Sequence, residues 1–559
     1  MEGDLAEIKK RGVLRVLVQD SDSDPLPIPG VVGEQEHELV KDFSTHLGVE
    51  AQFVSLADDR EMLATLANQR ADLIASPVPI TKETTHKGIA YSHPVASNPP
   101  LAWAVQANAT ELLLRVNNFL TEKALTQRNT LYPHKGDVDE IRSRGVLRVL
   151  TRNSGVSYFL YRGQPMGFDY DVAKMLAKKL GVGIEMVVAP SNEMLIPWLL
   201  QGRGDIIAAS FGITPARARH VFFSKPYLNA NPYLVADADI QNTQGLPKLT
   251  DQTIHVPIDS VYSGYIESNQ HSYGCFIEKV EPPSDTQDLV RMVAEKKIKY
   301  TVTDEHIIEM FDDAKNISIF KMPPGKYGSI RIAFAMRPSN PELRNSVNHF
   351  VDSIQKTAEF NILRTRYQRK NGPENTQKNG HTYVAGQISP YDNIIKKYAR
   401  KYNIDWRLMA AQAFHESKFR PRAVSWAGAL GLFQVLPKTG AELGFHNLTD
   451  PEIGVHAGIQ YMTNLMNRLP HRIEFPSRVR MALAAFNAGM GHLEDARRLA
   501  QQKGLDPDIW FGNVEKVMPL LADPVHYMRS RYGYCRGTEP VQYVSRIQTT
   551  YEQYVQVFK

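Results

Sequence analysis

Apolar positions along the chain change their period near residue 387. Before it, short apolar runs alternate with helical stripes. Thr253-Ile254-His255-Val256 reads as a strand, Asp285 to Glu295 as an amphipathic helix, and Ile298 to Val302 as another short strand. Alternation of this kind predicts an α/β lobe with a mainly parallel sheet. After it the period is helical: Trp406, Met409, Ala410 and Ala413 form an apolar stripe behind Asp405, an N-cap candidate, and Pro421 limits the helix. Residues 369–387, polar and poor in aliphatics, have linker composition. Glu416 continues the stripe, three residues past Ala413. A carboxyl there is either a capped surface group or an acid held against apolar walls, where its pKa would rise to about 6 and suit a general acid.

The first part of the chain contains a repeat. Asp4-Leu5-Ala6-Glu7-Ile8 and Gly12-Val13-Leu14-Arg15-Val16-Leu17 recur as Asp137-Val138-Asp139-Glu140-Ile141 and Gly145-Val146-Leu147-Arg148-Val149-Leu150, an offset of 133. Ala71-Asp72-Leu73-Ile74-Ala75 matches Gly204-Asp205-Ile206-Ile207-Ala208 at the same offset. Further on, Ala102-Trp103-Ala104-Val105 matches Ala333-Phe334-Ala335-Met336 at an offset of 231. The second copy therefore holds 98 extra residues (231 minus 133), placed between about 235 and 330. One α/β lobe is expected in residues 1–130. Two lobes joined by paired crossovers are expected in 137–368, with the second lobe at about 236–330.

Composition narrows the function classes. With 43% apolar and 22% charged residues the chain is ordinary globular protein, long enough for three or four domains. Net charge is +5, with basic residues scattered among acids, so no nucleic-acid footprint is present. The two cysteines, Cys275 and Cys535, fall in different expected domains and should not form a disulfide. No apolar run is long enough to span a bilayer. The chain opens Met1-Glu2-Gly3-Asp4 without a signal peptide, and the expectation is that a targeting segment preceded it. His415-Glu416 lacks the second His of a zinc-protease motif, since Phe419 stands there, and no metal is expected.

The second copy resembles the periplasmic solute-binding proteins of the polar amino-acid transport type. The likeness rests on Gly167-Phe168-Asp169-Tyr170-Asp171, Gly204-Asp205-Ile206-Ile207, Thr214-Pro215-Ala216-Arg217 and Phe223-Ser224-Lys225-Pro226-Tyr227. It implies that Arg217 clamps a ligand carboxylate, that Asp304 holds an amino group, and that Tyr158 or Phe159 stacks on the ligand. A guanidinium suits the first role because it pairs with a carboxylate through two parallel bonds. Gly212 departs from the family's hydroxyl residues at its position. Thr84 stands where the first copy would need the arginine, so that copy should bind nothing and serve a structural or docking role.

From 388 to 559 the chain resembles the soluble lytic transglycosylase domain. Four motifs carry the likeness: Glu416-Ser417, Ala423-Val424-Ser425-Trp426-Ala427-Gly428-Ala429, Gly431-Leu432-Phe433-Gln434 and Ala485-Phe486-Asn487-Ala488-Gly489. Ser389-Pro390-Tyr391-Asp392 and the run Gly533 to Val544 bring it closest to the membrane-bound lytic murein transglycosylase F family, which joins a solute-binding module to this domain. The single-lobed first copy departs from that family's arrangement. The resemblance implies two periplasmic-binding-protein-like α/β modules followed by a mainly α-helical, lysozyme-like domain. It implies cleavage of the MurNAc-β-1,4-GlcNAc bond with a 1,6-anhydro product, and Glu416 as the acid and then the base. Ser425, Gln434, Asn487 and Tyr543 would bind substrate, Tyr543 also orienting Glu416. Phe433 and Phe486 replace a common Met and Tyr. The implied partners are peptidoglycan strands and an amino acid, peptide or muropeptide that regulates cleavage, with no cofactor and no nucleic acid. The implied location is the periplasm at the outer membrane, with membrane contact only through a segment outside this chain. Two alternatives stand beside this reading: a muramidase that hydrolyses with water, and a receptor whose glycan-holding domain is inactive.

Overall fold

In a computed structural model, Asp4 and Asp137 show how closely the two copies correspond. Asp4 accepts the backbone N–H of Leu5 and that of Leu112 at 2.8 and 3.2 Å. Asp137 accepts those of Val138 and Leu343 at 2.8 and 2.7 Å, so each carboxylate caps its own helix and pins a distant one. Asp72 pairs with Arg11 and Arg15, and Asp205 with Arg144 and Arg148. Both acids are buried, and each also takes a backbone N–H, from Arg15 and Arg148 respectively. These charges are tolerated in the interior because paired guanidinium and amide donors replace the lost water. The structure describes residues 4–19; 33–126 save 57, 80–87, 94–95 and 98–99; 134–368 save 241–244, 259, 282–285, 305–307, 309–315 and 324–328; and 387–558 save 471. The linker expected at 369–387 lies outside the described residues except for its last position.

The chain forms two compact units, residues 1–129 with 389–555 and residues 130–388 with 556–559. In the second unit the first lobe has a five-stranded sheet in the order Gly183–Val188, Val146–Thr151, Ile206–Ile207, Ala335–Met336, Phe222–Phe223. The second lobe has its own sheet, in the order Phe276–Val280, Thr253–Pro257, Tyr300–Asp304, Pro232–Asp237, Ile317–Lys321. Both sheets are mixed: four strands run together and the fourth in the order runs against them, so two of the four pairings in each sheet are antiparallel. The cause is the crossover. Leu228–Ala230 and Ile330–Ile332 pair antiparallel as the chain passes to the second lobe and returns, so strands beside the crossover enter from the opposite direction. The expected helix runs from Thr286 to Ala294, but the strand expected at 298–302 begins only at Tyr300.

In the first unit, residues 4–126 repeat the first-lobe sheet in the same order: Glu50–Leu56, Val13–Gln19, Leu73–Pro79, Pro100–Gln106, Ile89–Tyr91. Where the second copy sends out a lobe, the first closes at once, with Ala96 pairing Leu101 and Ser97 pairing Pro100. The rest of the unit is helical, with Asp392–Lys401, Trp406–Ser417, Pro451–Arg468, Phe475–Ala488, Met490–Gln502 and Thr538–Val557 as its main helices. Helix Trp406–Ser417 is central, not a surface helix with one apolar stripe. Leu408, Ala411 and Gln412 are buried as fully as Met409, Ala410 and Ala413. It stops before Pro421, because Lys418 and Phe419 both take left-handed backbone at φ 54° and 58°. Cys275 and Cys535 are both buried free thiols.

Candidate functional site

Glu416 sits one residue from the end of the central helix, whose start is fixed by Asp405 accepting the N–H of Arg407 at 2.8 Å. Its Oε1 accepts a short hydrogen bond from the Tyr543 hydroxyl, on the terminal helix Thr538–Val557. Tyr543 in turn accepts from Gln412 Nε2 at 3.1 Å, one helical turn before Glu416. Burial pushes the Glu416 carboxyl up to about 7, against the opposing pull of the Tyr543 bond. His415, beside it, donates to or accepts from Thr550 Oγ1 at 2.8 Å, and burial followed by the nearby Lys418 and Arg546 charges lowers its pKa to about 4. The ring is therefore neutral near pH 7, and Glu416 is the group there that titrates.

Ser417 ties the next segment to this helix, its Oγ donating to Leu432 O at 2.9 Å. That segment folds back on itself through bridges Val424↔Leu430 and Leu430↔Val435. Ser425 closes the turn: its Oγ accepts the N–H of Ala429 at 3.0 Å. Gln434 has φ 48° and gives its amide to Ala423 O and Gly431 O, at 3.1 and 2.8 Å. Both residues thus stabilise the loop beside the helix that carries Glu416. Asn487 lies exposed near the end of helix Phe475–Ala488. Of the expected residues, the structure joins Tyr543 to Glu416 directly, and Ser425 and Gln434 share the loop that Ser417 anchors. None of the sequence motifs includes Gln412. Its signal is a fully buried amide in an apolar helix, four residues before the acid.

Phe433 is fully buried, and an added Cβ on Gly458 would lie 2.2 Å from its ring, so the glycine makes room for the larger side chain. Phe486 packs on Tyr461, ring centroids 5.0 Å apart.

In the other unit, Thr214 caps a short helix by accepting the N–H of Arg217 at 3.2 Å. The Arg217 guanidinium donates to Gly212 O at 2.9 Å and lies 4.1 Å over the Phe211 ring. Asp304 ends strand Tyr300–Asp304 and accepts from the Tyr262 hydroxyl at 2.5 Å. Arg217 and Asp304 line one cavity of about 90 Å³ with Arg152, Ser210, Phe211 and Tyr262. An adjoining space of about 890 Å³, which Arg217 also lines, opens towards Tyr265 and Glu267. Tyr158 and Phe159 do not line it. Both are buried in the core, 0% and 1% exposed, and the aromatics that line the cavity are Phe211 and Tyr262. Asp169 of the Gly167–Asp171 motif is also structural, accepting from Ser210 and Tyr227. Thr84 lies outside the described residues.

Residues 147–370 match the family of bacterial extracellular solute-binding proteins, family 3, and residues 393–509 match the transglycosylase SLT domain. Over 426 residues the chain is 33% identical to a membrane-bound lytic murein transglycosylase F from Desulfosudis oleivorans, covering 74% of this chain and 90% of that protein. The chain belongs to the membrane-bound lytic murein transglycosylase F family. A second relative with the transglycosylase F name, from Pseudomonas fluorescens, is 30% identical over 444 residues, 74% of this chain and 86% of its own length. A crystal structure of an ancestral amino acid-binding protein, a precursor of cyclohexadienyl dehydratase, is 25% identical with a TM-score of 0.37, covering 42% of this chain and 99% of its own. As a transglycosylase F member the chain is a lyase acting on peptidoglycan, with a solute-binding module ahead of its catalytic domain. Among the described residues no helix is long and apolar enough to cross a membrane.

Proposed function

We propose that Glu416 performs both proton transfers in a cleavage of the MurNAc-β-1,4-GlcNAc bond that consumes no water. The protonated carboxyl gives its proton to the bridging oxygen as the C1–O bond breaks. The substrate's acetamido group shelters the cationic sugar carbon, so no second carboxylate is needed. The Glu416 carboxylate then takes the proton of the same sugar's 6-hydroxyl while O6 bonds to C1, leaving a 1,6-anhydro end. The observation that carries this reading is the half-buried Glu416 carboxyl, raised to about 7 by desolvation and held by the Tyr543 phenol. Mass spectrometry of glycan digests tests it: ends lighter by one water support ring closure, and hydrolysed ends would make the protein a muramidase.

The cleft of the solute-binding module is the proposed receptor for an amino acid, peptide or muropeptide that regulates cleavage. Arg217 and Asp304 supply opposite charges to one cavity, which suits a ligand with a free carboxylate and a free amine. A muropeptide has both and reports on the wall itself. Regulation requires the ligand to favour one state of the enzyme, and a coupling of ~1–3 kcal/mol gives about 5–150-fold. Turnover of wild type and Arg217→Ala with saturating muropeptide decides the matter. A muropeptide that binds and leaves wild-type turnover unchanged would reduce the module to a tether. The wall substrate further supports a periplasmic location at the outer membrane, which fractionation of cells tests.

A further inference from the structure

The surface of the first copy that would be open in a free lobe is covered by the catalytic helices. Corresponding positions in the two copies make the contrast measurable. Ser92 and Ser224 hold the same bonds: each Oγ donates to the next residue's carbonyl and accepts the N–H of Trp103 or Phe334. The following residue gives its N–H to Asn117 in one copy and Asn348 in the other. In the second copy that residue is Lys225, exposed and paired with exposed Asp352. In the first it is His93, whose ring stacks on Phe475 at 4.3 Å and meets Asn403 O at 3.0 Å. Further along, exposed Asp352, Ser353 and Lys356 are replaced by buried Thr121, half-buried Glu122 and buried Leu125.

Helix Thr110–Thr126 makes polar contacts with the catalytic fold at three of its described residues. Glu111 pairs with Arg400 at 3.1 Å, Glu122 pairs with Arg407 at 3.1 Å, and Leu125 O accepts from Gln548 at 3.2 Å. The second contact lies at a junction. Arg407 is 5% exposed and also grips Asp405 at 2.7 Å, and Asp405 accepts the Tyr551 hydroxyl at 2.8 Å. Asp405 and Arg407 begin the helix that carries Glu416, and Tyr551 lies on the helix that carries Tyr543. The cluster therefore ties together the two helices whose far ends make the Glu416–Tyr543 bond. Burial raises the Glu122 carboxyl above its ordinary value, opposed by Arg407, so the contact is a desolvated one and not a surface pair.

The geometry points to Glu122 as a positioning residue for the transglycosylase reaction, supplied to the catalytic helix pair by a binding lobe that has lost its partner lobe. It acts through Arg407, Asp405 and Tyr551 and touches no substrate. This rests on Glu416 as the acid, and the test separates the two ideas. If Glu416→Ala left cleavage intact, the acid assignment would fail first, before any Glu122 variant is read.

The experiment uses the full chain with Glu122→Gln, Glu122→Ala and, as control, Ser353→Ala at the corresponding exposed position of the second copy. Turnover and KM on soluble glycan strands are measured across pH. Loosening the junction should lower kcat roughly three- to thirtyfold, because small misplacements of reacting groups are costly, and leave KM within about twofold. It should also move the alkaline limb of kcat upward, since the Tyr543 bond holds the Glu416 pKa down. The control should match wild type. A lower melting temperature with kcat and the limb unchanged, or a loss confined to KM, overturns the proposal. If Glu122→Ala does not fold, the near-isosteric Glu122→Gln is read by the same criteria.

Discussion

At pH 7 about half of the Glu416 carboxyls hold a proton, because the folded protein sets this group at about 7. In the proposed reaction bond cleavage starts from the protonated form, so kcat should be level below that pH and fall about tenfold per unit above it. Tyr543→Phe removes the bond that lowers the pKa and should move this limb to higher pH while reducing kcat. A limb that stays in place in that variant would mean another group sets it. Glu416→Gln should reduce cleavage at least ~100-fold. It should also change stability in a defined direction. Unfolded, the carboxyl titrates near 4.5; folded, near 7. The folded state alone holds the proton between those values, so stability falls as pH rises through the window, by up to ~3 kcal/mol above it. Thermal melts should therefore place Glu416→Gln above wild type at about pH 8 and level with it at about pH 4. Four ordered motifs in the sequence single out Glu416 as the proposed acid. Its environment was not legible there, because Gln412, His415 and Thr550 are ordinary residues until two distant helices bring them together.

Elements followed the sequence where their period was strong and departed where neighbours decided. The N-cap at Asp405 and the helix at Thr286–Ala294 stand as read, because capping and apolar spacing are local. The mixed sheets were not legible: strand direction depends on where the chain re-enters a lobe, and no residue encodes that alone. Nor was the end of the helix that carries Glu416, where Lys418 rather than Pro421 makes the turn. Close helix-to-loop packing gives a prediction at this scale. Gly458→Ala places a methyl group 2.2 Å from the ring of Phe433, a fully buried side chain. It should destabilise the fold by ~2–3 kcal/mol in urea titration, and adding Phe433→Leu should recover part of that loss. Full tolerance of Gly458→Ala alone would show that Phe433 has room to move.

The whole molecule holds two copies of one lobe with different fates. The second copy keeps a partner lobe and a charged cleft, and Arg217→Ala there should weaken binding of a carboxylate ligand at least ~10-fold by calorimetry. The first copy belongs to the catalytic unit, so helix Thr110–Thr126 should resist hydrogen exchange about as strongly as helix Trp406–Ser417. Exchange of the former at a loop-like rate would separate them. The repeat and its 98-residue difference were legible from the matching motifs. The surface that docks was not, since His93 and Glu122 acquire meaning only opposite Phe475 and Arg407.

The short ribbon at the crossover has a consequence for ancestry. Leu228 and Ile332 sit side by side in the second copy, as Ala96 and Leu101 do in the first. The ends of the intervening stretch are therefore adjacent, and the polypeptide on either side closes into the same sheet whether that stretch is long or short. A single in-frame deletion of the intervening codons would turn a duplicated receptor gene segment into a one-lobed structural part without disturbing its hydrophobic interior. Receptors of this design carry within their own topology the route by which they can become scaffolding.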